Sequence, residues 1–453
     1  MKLIIPRSDL KSALDGLGKV VLRKATLPVL QCIKIEAADG HVRASATDLD
    51  QVVAYKFESA TVEGKPAICL LEFEQLKALS DGNGEKVEIE AKNGETATGV
   101  KYIGEHPIQH AMKLLDASEW PEFKATVPVA DVDSSFLEQY RKALTFSSDD
   151  SSRYILNGVY LDVSDKKAHH VVATDGRRLT AFNAVRLPLT DSIVLPTSRF
   201  LAWSKLAGDV AIGASKAGDV RWFRLTAGNW DYMVKATDGT YPNWRQVVPA
   251  QDGGTKVVIG DADRDMLNRV MRTFPGHDVT NAPIRLAKKS GKLFISGKGA
   301  EDKEWTDLEL PTSRLEGKSQ TIGVSRDYLL DALSAGFSTF AYADEHGPLV
   351  ARNGASVHVL MPLRTSDDSP MRAATTTTKE HAMKEPESNR PEVSAMDRLL
   401  AAYDLAKQKI REANDALGTI AMTVKEVLRE DKQRRAEIDS VRAGLARLQA
   451  IKV

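Results

Sequence analysis

The sequence predicts an α+β protein in which one unit, two helices packed on antiparallel sheets, occurs three times over residues 1–366 before a linker and a long helical tail. Three observations predict it. Two sibling turns stand in alternating apolar segments: "ASATDLDQVVAY" (44–55) and "VVATDGRRLTAF" (171–182), with Thr47 and Thr174 127 residues apart. Strand-like segments begin at Leu27, Ile155 and Pro283, spaced 128 residues in both steps. Helix-like segments recur between them at matching places.

In chain order, each repeat opens with a short strand, a polar cap and apolar residues at helical spacing: "PRSDLKSALDGLGKVV" near 6–21, "PVADVDSSFLEQYRKAL" near 128–144 and "IGDADRDMLNRVMRTF" near 259–274. In the first, Leu10, Leu14 and Leu17 share one face. A second helix is expected in "LEFEQLKALSDG" (71–82), "LPTSRFLAWSKLAG" (195–208) and "VSRDYLLDALSAG" (324–336), with Phe73, Ser198 and Ser325 in equivalent places. Turn signals such as "KNGE", "KSGK" and "RNGA" separate about eight short strands per unit. The aromatic-Pro turns of "EWPEF" (119–123) and "TYPNW" (240–244) precede the next opening strand, which divides the chain at 1–123, 124–249 and 250–366.

A length of 453 residues suits roughly three domains with full cores. Lys+Arg and Asp+Glu both number 62, so any surface for a polyanion is a local patch. Cys32 and Cys69 stand in apolar stretches and read as buried free thiols, which suits a reducing cytoplasm. The N-terminus meets Pro6 and charges too early for a signal peptide, and no apolar run approaches 18 residues, so a soluble cytoplasmic protein with no membrane partner is expected. No nucleophile elbow, phosphate loop, dinucleotide fingerprint or metalloprotease helix is visible. The His169-His170 pair has strand alternation and no further ligand at metal spacing, and the acids of "TDLD" (47–50) and "SSDDSS" (147–152) read as turn caps. The expectation is a non-enzyme without cofactor or metal.

Six ordered blocks, "RKATLPVLQCIKIEAADGHVRASATDLD" (23–50), "SSRYILNGVYLDV" (151–163), "VVATDGRRLTAF", "YPNWRQVVP" (241–249), "YLLDALSA" (328–335) and "VHVLMPLR" (357–364), closely resemble the bacterial sliding clamps, the beta subunit of DNA polymerase III, across residues 1–366. The resemblance implies three clamp (processivity-fold) domains per chain and a homodimeric head-to-tail ring around double-stranded DNA, held without regard to sequence. It also implies partners: a clamp loader, and the replicative polymerase and repair proteins, which insert a short Leu- and Phe-bearing peptide into a cleft between the second and third domains. A sliding ring needs cations for phosphates and nothing that reads bases. Each repeat supplies them: Arg7, Lys11, Lys19, Arg23 and Lys24; then Arg141, Lys142, Arg199 and Lys205; then Arg264, Arg269, Arg272 and Arg326. By resemblance, Lys24, Arg153 and Tyr154 touch DNA at the rim of the hole.

The cleft carries over residue by residue. Leu156, Thr174, Gly176, Arg177, Arg178, Leu179, Pro242 and Val247 match from the second domain; Ser325, Tyr328, Val359, Met361, Pro362, Leu363 and Arg364 match from the third. An adaptable apolar floor rimmed by guanidinium donors suits such a peptide. Arg177 stands where the family often has His and Gln246 where it often has a basic residue, which implies a different peptide preference. "GEHPIQHAMKLLDAS" (104–118), near the family's inter-subunit strand, is longer than usual.

The tail departs most. Residues 367–393 form a polar, Thr- and Pro-bearing linker. From "SAMD" (394–397), steps of three and four residues give an apolar seam from Leu399 to Leu448, broken by Asp431 and Arg434. A coiled coil, a helical hairpin bending near "REDKQRR" (429–435), or one amphipathic helix docked on the body would satisfy this pattern; Gly418 weakens a continuous coil by about 1 kcal/mol. The coil opens an alternative function, a clamp-derived structural adaptor whose tail sets oligomerisation without the body encircling DNA.

Overall fold

The computed structural model describes residues 2–363 except 39, 93–95, 185, 251–253 and 319–320. Arg364 and the segments expected to form the linker and a helical tail lie outside the described residues. Within them the chain forms mixed helix and antiparallel sheet: 26 strands and five α-helices, α1 Arg7–Leu17, α2 Phe73–Ser80, α3 Ser135–Leu144, α4 Asp261–Val270 and α5 Arg326–Ser334.

The strands make sheets of 13, nine and four. Two of these sheets are continuous across repeats. Gln51–Phe57 of the first repeat pairs antiparallel with Trp230–Lys235, the last strand of the second. Arg178–Ala184 of the second pairs in the same way with Ser356–Leu360, the last strand of the third, in a register that sets Arg178 opposite Leu360 and Leu179 opposite Val359. The sibling turns therefore sit at equivalent positions, one at each junction.

Each helix buries one apolar stripe on its sheet: Leu10, Ala13, Leu14 and Leu17 on α1, Phe136, Leu137, Tyr140 and Ala143 on α3, and Leu329, Ala332 and Leu333 on α5. At the first junction α1 approaches two indoles so closely that a Cβ on Gly16 would lie 2.2 Å from the Trp230 ring and 2.8 Å from Trp203. Only glycine permits that contact. Phe200 and Tyr55 complete the aromatic cluster, with ring centroids 5.2 and 4.6 Å from Trp230.

Two local expectations change. The expected side-chain N-caps are absent from α1, α3 and α4; α1 follows directly from a strand, and its first N–H is taken by a neighbouring carbonyl, Arg7 N donating to Glu85 O at 2.9 Å as Arg326 N of α5 does to Ala282 O. The segment 195–208 ends the strand Ile193–Pro196 and then forms successive turns rather than a second helix. The side chain of Arg141 accounts for this, since it draws off carbonyls a helix would use internally, donating to Leu201 O (3.4 Å), Trp203 O (2.9 Å) and Leu206 O (2.6 Å). Cys32 and Cys69 are both buried and free, their thiols pushed up to about 11 chiefly by burial. No helix among the described residues is long and apolar enough to cross a membrane.

Candidate partner cleft and basic surface

The second junction builds an apolar patch on the sheet face opposite the helices. Leu156, Val172, Leu179, Ala181, Val357 and Val359 pack together with Tyr241 and Trp244, which arrive from a strap, residues 241–249, laid over the sheet. The strap is pinned by Asp162, whose buried carboxylate accepts from Trp244 Nε1 at 2.8 Å and Arg245 Nη1 at 2.5 Å. Burial alone would raise this carboxyl, but hydrogen bonds from Ser164, Trp244 and Arg245 outweigh it and hold the group down at about 2. Tyr160 and Tyr241 stack with centroids 4.5 Å apart. The patch itself is buried, whereas Val247 at the strap's far end is 52% exposed and Met361 is 43% exposed.

The 174–178 turn closes one side. Thr174 Oγ1 donates to Arg178 O (2.6 Å) and accepts from Gly176 N (3.0 Å), while Asp175 Oδ1 accepts from Arg177 N and Arg178 N. Gly176 sits at φ 86°, a left-handed conformation that suits glycine. The third repeat meets this turn directly: Met361 N donates to Arg177 O at 3.1 Å, and Leu363 N donates to Gly323 O at 2.8 Å. Tyr328 stands on the first turn of α5, directly after the buried Ser325 that ends the preceding strand. The structure thus gathers Leu156, Leu179, Val359, Met361 and the turn at one place, with Pro242 exposed on the strap. Arg364 lies outside the described residues.

Arg178 corrects one expectation. Its side chain is 8% exposed and donates to Asp175 Oδ2 (3.0 Å), Asp331 Oδ2 (2.5 Å) and Thr145 O (2.9 Å), with its guanidinium 4.2 Å from the Tyr328 ring centroid. It is a tie between repeats rather than a rim donor, because the two carboxylates already hold its fork. Arg177 remains exposed on the rim. Sequence reading missed Asp331 and Asp162; an acid inside an apolar helical or strand pattern is the signal, since such a group must find a cation or several donors.

The expected phosphate-binding cations divide in a similar way. Lys24, Lys11, Arg199, Arg269 and Arg272 are exposed. Arg153 and Tyr154 are exposed beside the turn, where Arg153 Nη1 lies 3.4 Å from Asp175 O. Lys142 pairs with Glu138 at 2.7 Å and Lys205 with Asp15 of α1 at 2.6 Å, while Arg264 pairs with Asp261 at 2.9 Å. Arg7 donates to Gly84 O at 2.8 Å. Arg141 and Arg326 are corrected. The former is committed to the three carbonyls above, and the latter is 3% exposed and donates to Met271 O (2.9 Å) and Pro275 O (2.6 Å). Both satisfy carbonyls that their segments leave without helical partners.

Comparison with known proteins agrees with this architecture. Residues 1–122 match the family described as DNA polymerase III beta subunit, N-terminal domain. The beta sliding clamp of Pseudomonas putida KT2440 is 25% identical over 386 residues, covering 80% of this chain and all of the relative. That of Caulobacter vibrioides NA1000 is 24% identical over 386 residues with the same coverage. The fold matches the crystal structure of the DNA polymerase sliding clamp from Bacillus subtilis with a TM-score of 0.69 at 21% identity, covering 81% of this chain and all of that one. A sliding clamp from Bartonella birtlesii bound to griselimycin also aligns with a TM-score of 0.69, at 23% identity and the same coverage. Residues 1–122 thus match the N-terminal domain of the beta subunits of DNA polymerase III, and with three repeated sheet units bridged by continuous sheets the chain is similar to the beta sliding clamps along their full length.

Proposed function

We propose that the chain is a DNA sliding clamp, a processivity factor with no catalytic site of its own, which encircles double-stranded DNA as a homodimeric ring. In the cytoplasm it takes DNA from a clamp loader, tethers the replicative polymerase and repair proteins, and receives their Leu- and Phe-bearing peptides at the second junction. Its domains are 1–123, 124–249 and 250–366, and the exposed cations, Lys24 and Arg199 among them, attract phosphates without reading bases.

The pairing rule at the junctions carries this reading. Twice, a middle strand of one repeat pairs with the last strand of the next. Applied to the strands left over, the rule joins Thr306–Leu310, an edge of its four-stranded sheet, to His106–Leu115 of a second copy. Among the described residues His106–Leu115 has a second sheet partner only at Leu114 and Leu115. The first edge carries Lys113, and the second carries Asp307 and Glu309, which are held by Lys289 and Lys292 of their own sheet. Two such contacts, related head to tail, close a ring.

The test is retention on DNA. Loaded onto closed circular plasmid, the full chain is expected to stay bound through gel filtration at high salt and to be released when the plasmid is cut. Ile108→Asp, at a 37% exposed position on the unpaired edge, is expected to give a monomer by light scattering and to lose retention. A variant that stays dimeric would transfer assembly to the tail and favour the adaptor.

A further inference from the structure

The opening helices of the three repeats carry charge of both signs at fixed places, and that arrangement bears on how firmly the chain holds DNA. At the 127-residue offset of the sibling turns, Lys11, Glu138 and Asp265 are equivalent positions, and so are Asp15, Lys142 and Arg269, four residues further along. Each of α1, α3 and α4 therefore sets one carboxylate and one cation a turn apart, outside the stripe that it buries. We propose that Asp15, Glu138 and Asp265 are attenuators: each cancels a cation of the basic surface, so that the ring holds DNA weakly enough to slide. This rests on the DNA reading above and adds to it the residues that limit the hold.

All three acids are engaged with a cation. Asp15 Oδ2 accepts from Lys205 Nζ at 2.6 Å, which carries the pairing across from the first repeat to the second. Glu138 Oε1 lies 2.7 Å from Lys142 Nζ within α3, and the hydrogen bond from Lys142, followed by its charge, holds the Glu138 carboxyl below its ordinary value. Asp265 Oδ1 lies 3.6 Å from Arg264 Nε, while its main-chain oxygen accepts from Arg269 Nε at 3.1 Å. The signs are exchanged in α1 relative to α3 and α4, yet each helix keeps one acid at one of the two positions.

These pairs are open to solvent, with the side chains of Lys205 and Glu138 69% and 66% exposed, so they contribute little to stability. What they alter is local charge. Attraction to duplex DNA grows with the number of phosphates that cations neutralise, through release of the counterions those phosphates held. A lysine already paired with a carboxylate presents little net charge to a phosphate, and a phosphate that takes the lysine leaves the carboxylate unpaired beside it. Lys11, Lys24 and Arg199 are exposed and form no ion pair among the described residues, so they supply the attraction that remains.

The triple variant Asp15→Asn, Glu138→Gln, Asp265→Asn tests the proposal on the full chain, by anisotropy of a fluorescently labelled linear duplex at several salt concentrations. It is expected to bind more tightly than the unaltered chain at low salt, and log affinity against log salt is expected to steepen by about 0.9 for each cation freed, about 2–3 in all. A second triple variant, Glu122→Gln, Asp191→Asn, Glu316→Gln, removes the same charge from exposed pairs with Lys124, Arg221 and Arg314 outside these helices, and is expected to leave the slope nearly unchanged. An unchanged slope in the first triple overturns the proposal. Equal steepening in the second also overturns it, since net charge alone would then account for the effect. Glu138→Gln by itself is expected to steepen the slope by about 0.9 and serves if the first triple is poorly folded. Tracked singly on stretched duplex, loaded rings of the first triple are expected to diffuse more slowly than unaltered rings; equal diffusion would overturn the link to sliding. Failure of the unaltered chain to bind the duplex at any salt would instead overturn the DNA reading itself.

Discussion

The two junction turns are nearly the same object built for different loads. In each, a Thr hydroxyl donates to the carbonyl four residues on (Thr47 to Gln51, 2.7 Å; Thr174 to Arg178, 2.6 Å) and accepts the N–H two residues on, and an Asp accepts two further N–H groups. The third residue is left-handed in both, Leu49 at φ 83° and Gly176 at φ 86°. The fifth residue differs. Gln51 closes its turn on Asp48 at 2.6 Å and reaches the next repeat through neutral groups: its Oε1 accepts from the Tyr232 hydroxyl at 2.8 Å and lies 3.2 Å from the Ser198 hydroxyl. Arg178 reaches across with a charge to Asp331. A closed hydrogen-bonded turn is thus a property of the repeat, and the junction's chemistry is set by one side chain.

The largest expected difference lies in what breaking each tie costs. Arg178→Met leaves Asp175 and Asp331 without their cation and Thr145 O without its donor, and is expected to lower stability by about 3 kcal/mol, moderated because Asp331 is one-third exposed. Gln51→Met removes two neutral bonds and one donated to the Asp48 carboxylate but strands no buried ion pair, and is expected to cost about 1–2 kcal/mol. Calorimetry should show the first unfolding transition falling further for Arg178→Met. Equal shifts would mean that the charged tie contributes no more than the neutral one.

Acid separates the junctions next. His358 lies under Arg178, fully buried between Phe146 and Phe337, with Nδ1 2.6 Å from Thr180 Oγ1. Burial first, and then the nearby Arg178 charge, lower its pKa to about 3. A histidine depressed in the folded state stays neutral there while the unfolded chain takes up a proton below about pH 6.5, so stability falls as pH drops from that value toward 3, by about 1.4 kcal/mol per unit. The Gln51, Ser198 and Tyr232 tie has no group titrating in this window. Melting temperatures measured at pH 7 and 5 should therefore fall less for His358→Gln than for the unaltered chain, provided that the variant folds. Parallel profiles would remove His358 as the cause.

Much of this was legible in the sequence because the repeat writes it three times. The 127-residue offset of Thr47 and Thr174 paired the two turns, and the alternation around Leu179 placed that residue in a strand. Periodicity reports a local face, and it was right for α1 and α5, where the stripe is buried on the chain's own sheet. It failed at 195–208, where the same spacing is present but Arg141, 60 residues away, takes the carbonyls. It failed in the same way for Arg178 and Arg326, since a guanidinium reads alike whether its carboxylate or carbonyl partner is absent or stands roughly 50 to 150 residues away in either direction. Asn281, whose side-chain oxygen accepts from Arg177 Nη1 at 2.7 Å, carries no signal at all, because that bond depends on a loop from another repeat meeting Arg177. What sequence conveys poorly here is the pairing of distant polar groups, and those pairs decide the site.

The smallest effect concerns the third residue of each turn, where strain and not charge is at issue. Leucine in the left-handed region costs roughly 1 kcal/mol relative to the same residue in ordinary backbone, whereas glycine has no Cβ to oppose it but loses more freedom on folding, roughly 0.5–1 kcal/mol. Leu49→Gly should therefore come out close to neutral, the relieved strain offset by the extra entropy. Gly176→Leu imposes the strain and sets a Cβ 2.8 Å from Arg153 Nη1, which can move because it is the end of a flexible side chain. That exchange should cost about 1 kcal/mol in thermal unfolding while displacing Arg153 at the cleft. If instead Leu49→Gly is the costlier of the two, the 39% exposed Leu49 side chain makes contacts that outweigh its backbone strain, and the first turn has been tuned for packing where the second was tuned for approach.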